Sequence, residues 1–368
     1  MRVAVVGTGI FGASTAFHLA QAGAEVVMID PFLEGRATAA GAGIVCPWSS
    51  AMDDPGHYRL STAGARYYPD LVAALAELGE HDTGYRRVGS LNTPADETLL
   101  DGLEARVRQR VADAPEAGEV SRLAPAEARA LFPPLREGQG ALHIAGAARV
   151  DGRAMSAGLA GGAARLGAVK RAGDTRLVVD GGRARGVEVG GELIEAHAVV
   201  VTAGAWAPAL LRAVGVADPV QPQRGQIIHF ELPGVDTLAW PVVLPMTSHY
   251  MLAFPGGRIV VGATRETGSG FDYRVTASGM LEVLHTALEL APGLAGATVL
   301  ETRIGFRPAG MSIRPTLGEV PGVDGLFVGN GLWASGLTIG SYAGRLLAQM
   351  VLGAIPDIDP ALYTLGGP

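Results

Sequence analysis

Arg2-Val3-Ala4-Val5-Val6-Gly7-Thr8-Gly9-Ile10-Phe11-Gly12 opens the chain, and the fold turns on how this stretch is read. A strand-type apolar run enters a G-x-G-x-x-G loop, and residues 13–21 continue with helical patterning. A second apolar run, Val26-Val27-Met28-Ile29, ends in Asp30, 18 residues beyond Gly12. Each glycine has a mechanical reason: Gly7 permits a tight turn, Gly9 lets backbone approach a pyrophosphate, and Gly12 lets helix and strand pack closely. The N-terminus of the helix, entered through Ile10 and Phe11 of the loop, turns unpaired N–H groups and positive partial charge towards that pyrophosphate. Asp30 would accept hydrogen bonds from ribose hydroxyls, which disfavours a 2′-phosphate and hence NADP. The motif implies a dinucleotide without separating NAD from FAD.

The far end repeats the pattern. Leu326-Phe327-Val328-Gly329 runs through Asn330-Gly331-Leu332-Trp333-Ala334-Ser335-Gly336 into an apolar helical stretch over 337–352. Two strand–loop–helix units at opposite termini suggest one large cofactor gripped from both ends. Between them, residues 35–44 form a small-residue loop suited to lying flat on a planar ligand.

Composition narrows the possibilities. At 368 residues the chain accommodates about two domains. Its 53 glycines are roughly twice the ~7% background, so many positions need positive φ or close backbone approach. The net charge of −7, with no basic run, argues against nucleic acid and anionic membrane surfaces as partners. Lys170 is the only lysine, leaving one candidate for lysine-based catalysis. Cys46 is the only cysteine, which excludes an intrachain disulfide or Cys-rich metal site and fits a reducing cytoplasm. Peripheral membrane association stays open. The glycine-broken N-terminus does not read as a signal peptide, and no apolar stretch approaches the ~20 residues of a membrane span.

Along the chain, 67–78 reads as an amphipathic helix and 86–92 as a strand. Residues 96–132 read as charged helix interrupted at Pro115 and Pro125. After a helix over 155–166 comes a β-meander expected to use 175–179, 186–189 and 198–202. Its last strand ends in the glycine turn Ala203-Gly204-Ala205-Trp206. Alternating strands follow at 226–230, 250–254 and 258–261, the last two joined by Pro255-Gly256-Gly257, and then a helix at 275–290. The sheet-rich middle interrupts a nucleotide-binding domain, so the expectation is a mixed α/β chain of two interleaved domains. The cofactor domain takes 1–84, 141–215 and 301–368; the substrate domain takes 85–140 and 216–300.

The glycine loop with Asp30, residues 35–44, Val199-Val200-Val201-Thr202-Ala203-Gly204-Ala205-Trp206, Gly305-Phe306-Arg307-Pro308 and the C-terminal unit occur in one order. Together they resemble the D-amino-acid oxidase superfamily of FAD-dependent oxidoreductases, especially its glycine oxidase, sarcosine oxidase and D-amino-acid dehydrogenase branches. The resemblance is strongest at the two ends and weakest over 95–140. It implies a glutathione-reductase-like FAD domain and a substrate domain built on a large antiparallel sheet. By position, Gly7, Gly9, Gly12 and Asp30 would hold the ADP half, with Arg36 and Thr38 near the pyrophosphate and Ala42, Gly43 and Ile44 along the isoalloxazine. Arg176 is the nearest match to a strand residue that meets the adenine through its main chain. Ala203 and Gly204 match a turn near the cofactor.

Backbone N–H groups of Ser335, Gly336, Leu337 and Thr338, with Trp333 and Ala334 before them, would face the flavin edge that becomes negative on reduction. Arg307 matches an arginine that clamps the substrate carboxylate, a task for a planar guanidinium that lysine cannot reproduce. Tyr250 matches a substrate-pocket tyrosine, and regular alternation would place His249 on the opposite face. The implied activity is oxidation of the C–N bond of an amino acid or N-alkyl amino acid, with hydride passing from the α-carbon to flavin N5. Hydrolysis of the imine then gives a 2-oxo acid, and electrons leave to oxygen or a quinone-type acceptor.

Relatives with covalent flavin carry a histidine near the Ala40 position or a cysteine shortly after the Arg307 position. This chain has neither, so the expectation is non-covalent FAD. Sarcosine oxidases place a lysine beside the flavin, a device that Lys170 is too far from any motif to supply. Rival readings are an NAD-dependent dehydrogenase, which leaves the C-terminal unit unexplained, and a non-catalytic flavoprotein subunit. A domain acting on a modified tRNA base fits poorly with the acidic charge.

Overall fold

A computed structural model describes residues 1–94 and 96–365. Strand Arg2–Val6 lies in a six-stranded sheet between Ala198–Val201 and Glu25–Ile29. Leu326–Asn330 continues that sheet beyond Ala198–Val201, Thr316–Glu319 closes one edge and Val169–Arg171 the other. All pairings are parallel except that of Thr316–Glu319. Both glycine-rich loops therefore leave the same carboxyl end of one sheet, where open α/β sheets bind ligands.

The strands read as unbroken apolar runs because both faces are covered. Val3, Val5, Met28 and Val200 face the first helix, Ile10–Gln21, and the last, Gly336–Val351. Ala4, Val6, Ile29 and Val201 face a three-stranded meander through Leu177, Val187 and Ile194. The two helices approach closely because a Cβ at Gly344 would lie 2.7 Å from the Phe11 carbonyl oxygen and 2.6 Å from Ser14 Cβ.

A second sheet, nine-stranded and mostly antiparallel, is built on Gln221–Glu231, which pairs along its length with Thr298–Ala309. Tyr250–Phe254 and Arg258–Gly262 form the expected hairpin beside it. Its outer face packs on the helix Ala277–Leu290 through Ile228, Phe230 and Val283.

Several expectations need correction. Helix 67–78 begins twelve residues earlier, at Pro55, and runs through Pro69 to Glu77. The Asp54 carboxylate caps it, accepting from the His57 amide at 2.7 Å, and Pro55 sits at the first turn, a start signal legible in Asp-Pro. Strand 86–92 breaks at Gly89, whose φ is 75°: Arg86–Arg87 joins a small sheet and Ser90–Asn92 the large one. The stretch 96–132 contains a strand, Val120–Leu123, between the helices Leu99–Val111 and Pro125–Leu131. The meander's third strand is Glu192–Glu195, because Ala198–Val201 belongs to the parallel sheet. Ala141–Ile144 and Thr298–Ala309 hydrogen-bond into the nine-stranded sheet. No helix among the described residues is long and apolar enough to cross a membrane.

Candidate active site

A cavity of about 630 Å³ runs from the first glycine loop to the inner face of the nine-stranded sheet. At one end, Gly7 (φ 95°) turns so tightly that a Cβ would lie 2.6 Å from the Thr202 carbonyl oxygen. Gly12, buried behind the loop and not on the cavity wall, is forced by packing: its Cβ would lie 1.9 Å from Gly7 O. Gly9 differs. The nearest protein atom to a Cβ there is Thr38 Oγ1 at 3.1 Å, so the missing side chain leaves room on the cavity side. A backbone cradle of this kind fits a pyrophosphate. The Ile10 N–H donates to Thr38 Oγ1 at 3.0 Å, and Phe11 follows on the cavity wall. Asp30 is buried and accepts from the Thr8 amide and hydroxyl and from the Phe32 amide, each at 2.7 Å. A carboxylate has capacity beyond these three bonds, and Asp30 also lines the cavity. Arg36 stands 3.9 Å from it, over the Phe32 ring.

Ala203 and Gly204 line the same end, beside Trp206, whose ring stacks on Phe271. Arg176 does not. It pairs with Glu188 on the outer surface, and the wall is formed by Asp174 and Thr175, one residue earlier.

In the middle, Ala42, Gly43 and Ile44 form one wall. Gly43 (φ 96°) would place a Cβ 1.7 Å from Val150 O, so the backbone lies flat against its neighbour. The C-terminal loop faces this wall with Trp333, Ala334, Ser335, Gly336, Leu337 and Thr338, and Thr338 Oγ1 donates to Ile44 O at 2.9 Å. Trp333 holds φ 48° and donates from its indole to Ser312 O at 2.9 Å. A non-glycine residue in that region is strained, and such strain clusters at functional sites.

At the sheet end stand Arg307 and Tyr250. Arg307 lies opposite Gln223 in the strand pair, with Gly225 next in line. A Cβ on Gly225 would lie 2.6 Å from either terminal guanidinium nitrogen, so the guanidinium rests on bare backbone. Its Nη1 donates to Thr264 O at 3.0 Å. Burial lowers the pKa of Arg307, partly offset by the adjacent Tyr250, and burial raises that of Tyr250, partly offset by Arg307. The raised Tyr250 hydroxyl stays protonated at neutral pH, and a guanidinium keeps its charge in proteins. The acid whose charge reaches Arg307, Glu266, is held by Arg224. Among the described residues, neither Arg307 nor the cavity-lining Arg265 has a carboxylate within ion-pair distance.

His249 lines the cavity with Tyr250, contrary to expectation. The strand begins at Tyr250, so alternation does not extend to His249, and its Nε2 lies 3.3 Å from Glu282 Oε1. Sequence reasoning also missed Arg265 and His57. Arg265 sits just past a strand end with no spacing to mark it, whereas His57 follows the Asp54-Pro55 start signal. Cys46 lines the wall, its thiol pushed up by burial and so kept protonated. Lys170 sits on the edge strand of the six-stranded sheet and is not among the cavity-lining residues.

A family model described as FAD dependent oxidoreductase matches residues 2–350. The chain is 48% identical over 99% of its length to the uncharacterised oxidoreductase YurR of Bacillus subtilis, covering 98% of that protein. It is 31% identical to the glycine oxidase of Pseudomonas putida, over 100% of this chain and 98% of that one. The crystal structure of iminodiacetate oxidase from Chelativorans sp. BNC1 superposes with a TM-score of 0.97 at 54% identity, covering 99% of this chain and 98% of that one. With its two glycine loops opening on one cavity, this chain belongs to the family of FAD-dependent oxidoreductases that includes the glycine oxidases, and it is an enzyme whose cofactor is FAD.

Proposed function

We propose that this enzyme oxidises the C–N bond of an N-substituted amino acid bearing two carboxylates, an iminodiacetate-type secondary amine. The observation that carries the reading is the pair of arginines without carboxylate partners, Arg307 and Arg265, in one cavity with Tyr250. Two cations without counter-ions in one pocket favour a dianionic ligand. The similarity to an iminodiacetate oxidase supports the same class.

In this reading Gly7, Gly9 and Asp30 would hold the ADP half of FAD, and Ala42–Gly43–Ile44 with the loop 334–338 would hold the isoalloxazine. Bound FAD supplies a two-electron acceptor for the hydride of the substrate α-carbon. The protein's part is placement. Arg307, with the Tyr250 hydroxyl as a second donor, clamps the carboxylate of the carbon to be oxidised. Arg265 takes the distal carboxylate at the exposed end. The α-C–H bond breaks, a C=N bond forms as the nitrogen releases its proton, and water then gives a 2-oxo acid and a primary amine.

Anaerobic mixing with iminodiacetate, sarcosine, glycine, L-proline and D-amino acids, followed by flavin bleaching, tests the class. Bleaching is expected fastest with iminodiacetate, and a faster one-carboxylate substrate would overturn the two-carboxylate reading. Air reoxidation of the bleached flavin then separates an oxidase from a dehydrogenase. Arg265→Met is expected to raise KM for iminodiacetate by up to about fivefold while changing that for sarcosine little, in line with an exposed charge pair. An equal effect on both would remove Arg265 from the substrate. The flavin is held without a covalent bond, because Ala40 and the residues just after Arg307 offer no histidine or cysteine. Acid precipitation should therefore leave all the yellow colour in the supernatant, and colour in the pellet would refute this.

A further inference from the structure

The helix Pro55–Glu77 turns one face to the C-terminal loop. His57, Ser61, Gly64 and Tyr68 recur at three- and four-residue intervals and so share that face. The Tyr68 hydroxyl donates to Leu337 O. A Cβ at Gly64 would lie 2.1 Å from Thr338 O, so the helix backbone itself meets the loop. At the cavity end of this face is His57, 6% exposed, with Nε2 3.0 Å from Ser335 Oγ.

The hydrogen-bond arithmetic fixes the imidazole. Ser61 Oγ gives its proton to His57 O at 2.8 Å, so towards His57 Nδ1, 3.4 Å away, it can only accept. Nδ1 then carries the ring hydrogen, Nε2 is bare, and the Ser335 hydroxyl spends its proton on Nε2. A proton arriving on Nε2 reverses that bond. The imidazolium donates to Ser335 Oγ, and the hydroxyl hydrogen becomes free to turn into the cavity that Ser335 lines.

The charged groups around His57 are few. Asp54 caps its helix and is ion-paired at 3.0 Å by Arg314, from the loop before strand Thr316–Glu319. Among the described residues, the Ser335 hydroxyl is the group of the C-terminal loop that hydrogen-bonds the ring, and Tyr363, packed behind, spends its hydroxyl on Gly56 O. Burial, only partly offset by Asp54, lowers the pKa of His57, so the ring rests uncharged at neutral pH.

We propose that His57 is a positioning residue that sets the direction of the Ser335 hydroxyl and takes up a proton from solvent when negative charge appears on the adjacent edge of the reduced flavin. This rests on the reading that residues 335–338 face that edge. The substrate's electrons and hydride go to FAD, and the proton on Nε2 is additional, drawn from water, so no bond of the substrate depends on it.

Sulfite titration of the oxidised holoenzyme tests this without any substrate, since sulfite addition also leaves negative charge on the flavin. The ratio of wild-type to His57→Gln sulfite affinity is expected to rise about tenfold as the pH falls from about 8.5 to about 5, a window that extends below the ordinary imidazole range because burial lowers the His57 pKa. Taking the ratio cancels the protonation of sulfite itself. For Ser335→Ala, a milder change should His57→Gln lose flavin, the wild-type-to-variant ratio is expected to rise in the same way as the pH falls. A ratio constant across this range for both variants, with flavin retained, overturns the proposal. Because the readout uses no amine, failure of the substrate class would leave it unchanged.

Discussion

Arg307→Met is expected to lower kcat/KM for carboxylate-bearing amines by about a thousandfold while the protein remains yellow and folded. The guanidinium rests on Gly225, is anchored to Thr264 O at 3.0 Å and stands beside the Tyr250 hydroxyl. A substrate carboxylate entering this dry corner would gain a bidentate, charge-assisted contact, and losing one partner of such a pair costs about 2–5 kcal/mol. Each 1.4 kcal/mol is tenfold, so a loss in the upper half of that range, about 4.2 kcal/mol, gives the stated factor. Methionine keeps much of the bulk, and the flavin spectrum reports whether the cofactor is disturbed. Lysine should rescue little, because a point charge cannot span two oxygens from the same anchor. Steady-state kinetics with unchanged kcat and KM would remove Arg307 from the substrate and leave the cavity without its clamp.

Gly12→Ala is expected to yield protein that carries little or no flavin and unfolds at a lower temperature. Its Cβ would stand 1.9 Å from Gly7 O and 2.3 Å from Thr202 Oγ1. The first of these is backbone, so no rotamer change relieves it. The helix must lift from the strand, which moves the N–H groups that the glycine loop presents to the cavity. Overpacking a tight core costs about 1–3 kcal/mol and more where backbone must shift. Gly9→Ala is the contrasting control: its only close neighbour is a side-chain oxygen, so it should lose FAD affinity with little change in the apo-protein's stability. The 280 nm to 450 nm absorbance ratio and thermal melts of apo- and holoprotein check both. Equal loss of apo-stability in the two variants would mean that Gly9 is a packing glycine.

Much of this site is legible along the chain because its parts are local. The turn at Gly7, the helix at Ile10 and the acid at Asp30 are set within one βαβ unit by steric rules and hydrogen-bond direction. The loop 333–338 is legible for the same reason. Arg307 was reachable only through the company of Gly305 and Pro308 in a family pattern, since nothing in its own neighbourhood says that it faces Gly225, eighty-two residues earlier in sequence. Residues missed by sequence reasoning share a cause. Arg265 and His249 lie just outside strand ends, where the period of two no longer applies. His57 lies on the first turn of a helix whose patterned part begins only further on.

Sequence alone thus determined the two dinucleotide-type units, the mixed α/β class and the need for a large cofactor, because glycine turns and apolar periodicity act over a few residues. Tertiary structure decided where those units meet. Strand Ala198–Val201 comes between the two terminal strands and aligns their loops at one carboxyl end of the sheet. The pairing of Gln221–Glu231 with Thr298–Ala309 brings Gly225 against Arg307, and the strand ends nearby add Tyr250 and Arg265 to the same wall. These are pairings between segments far apart in the chain, set by burial and register, and no local pattern encodes them.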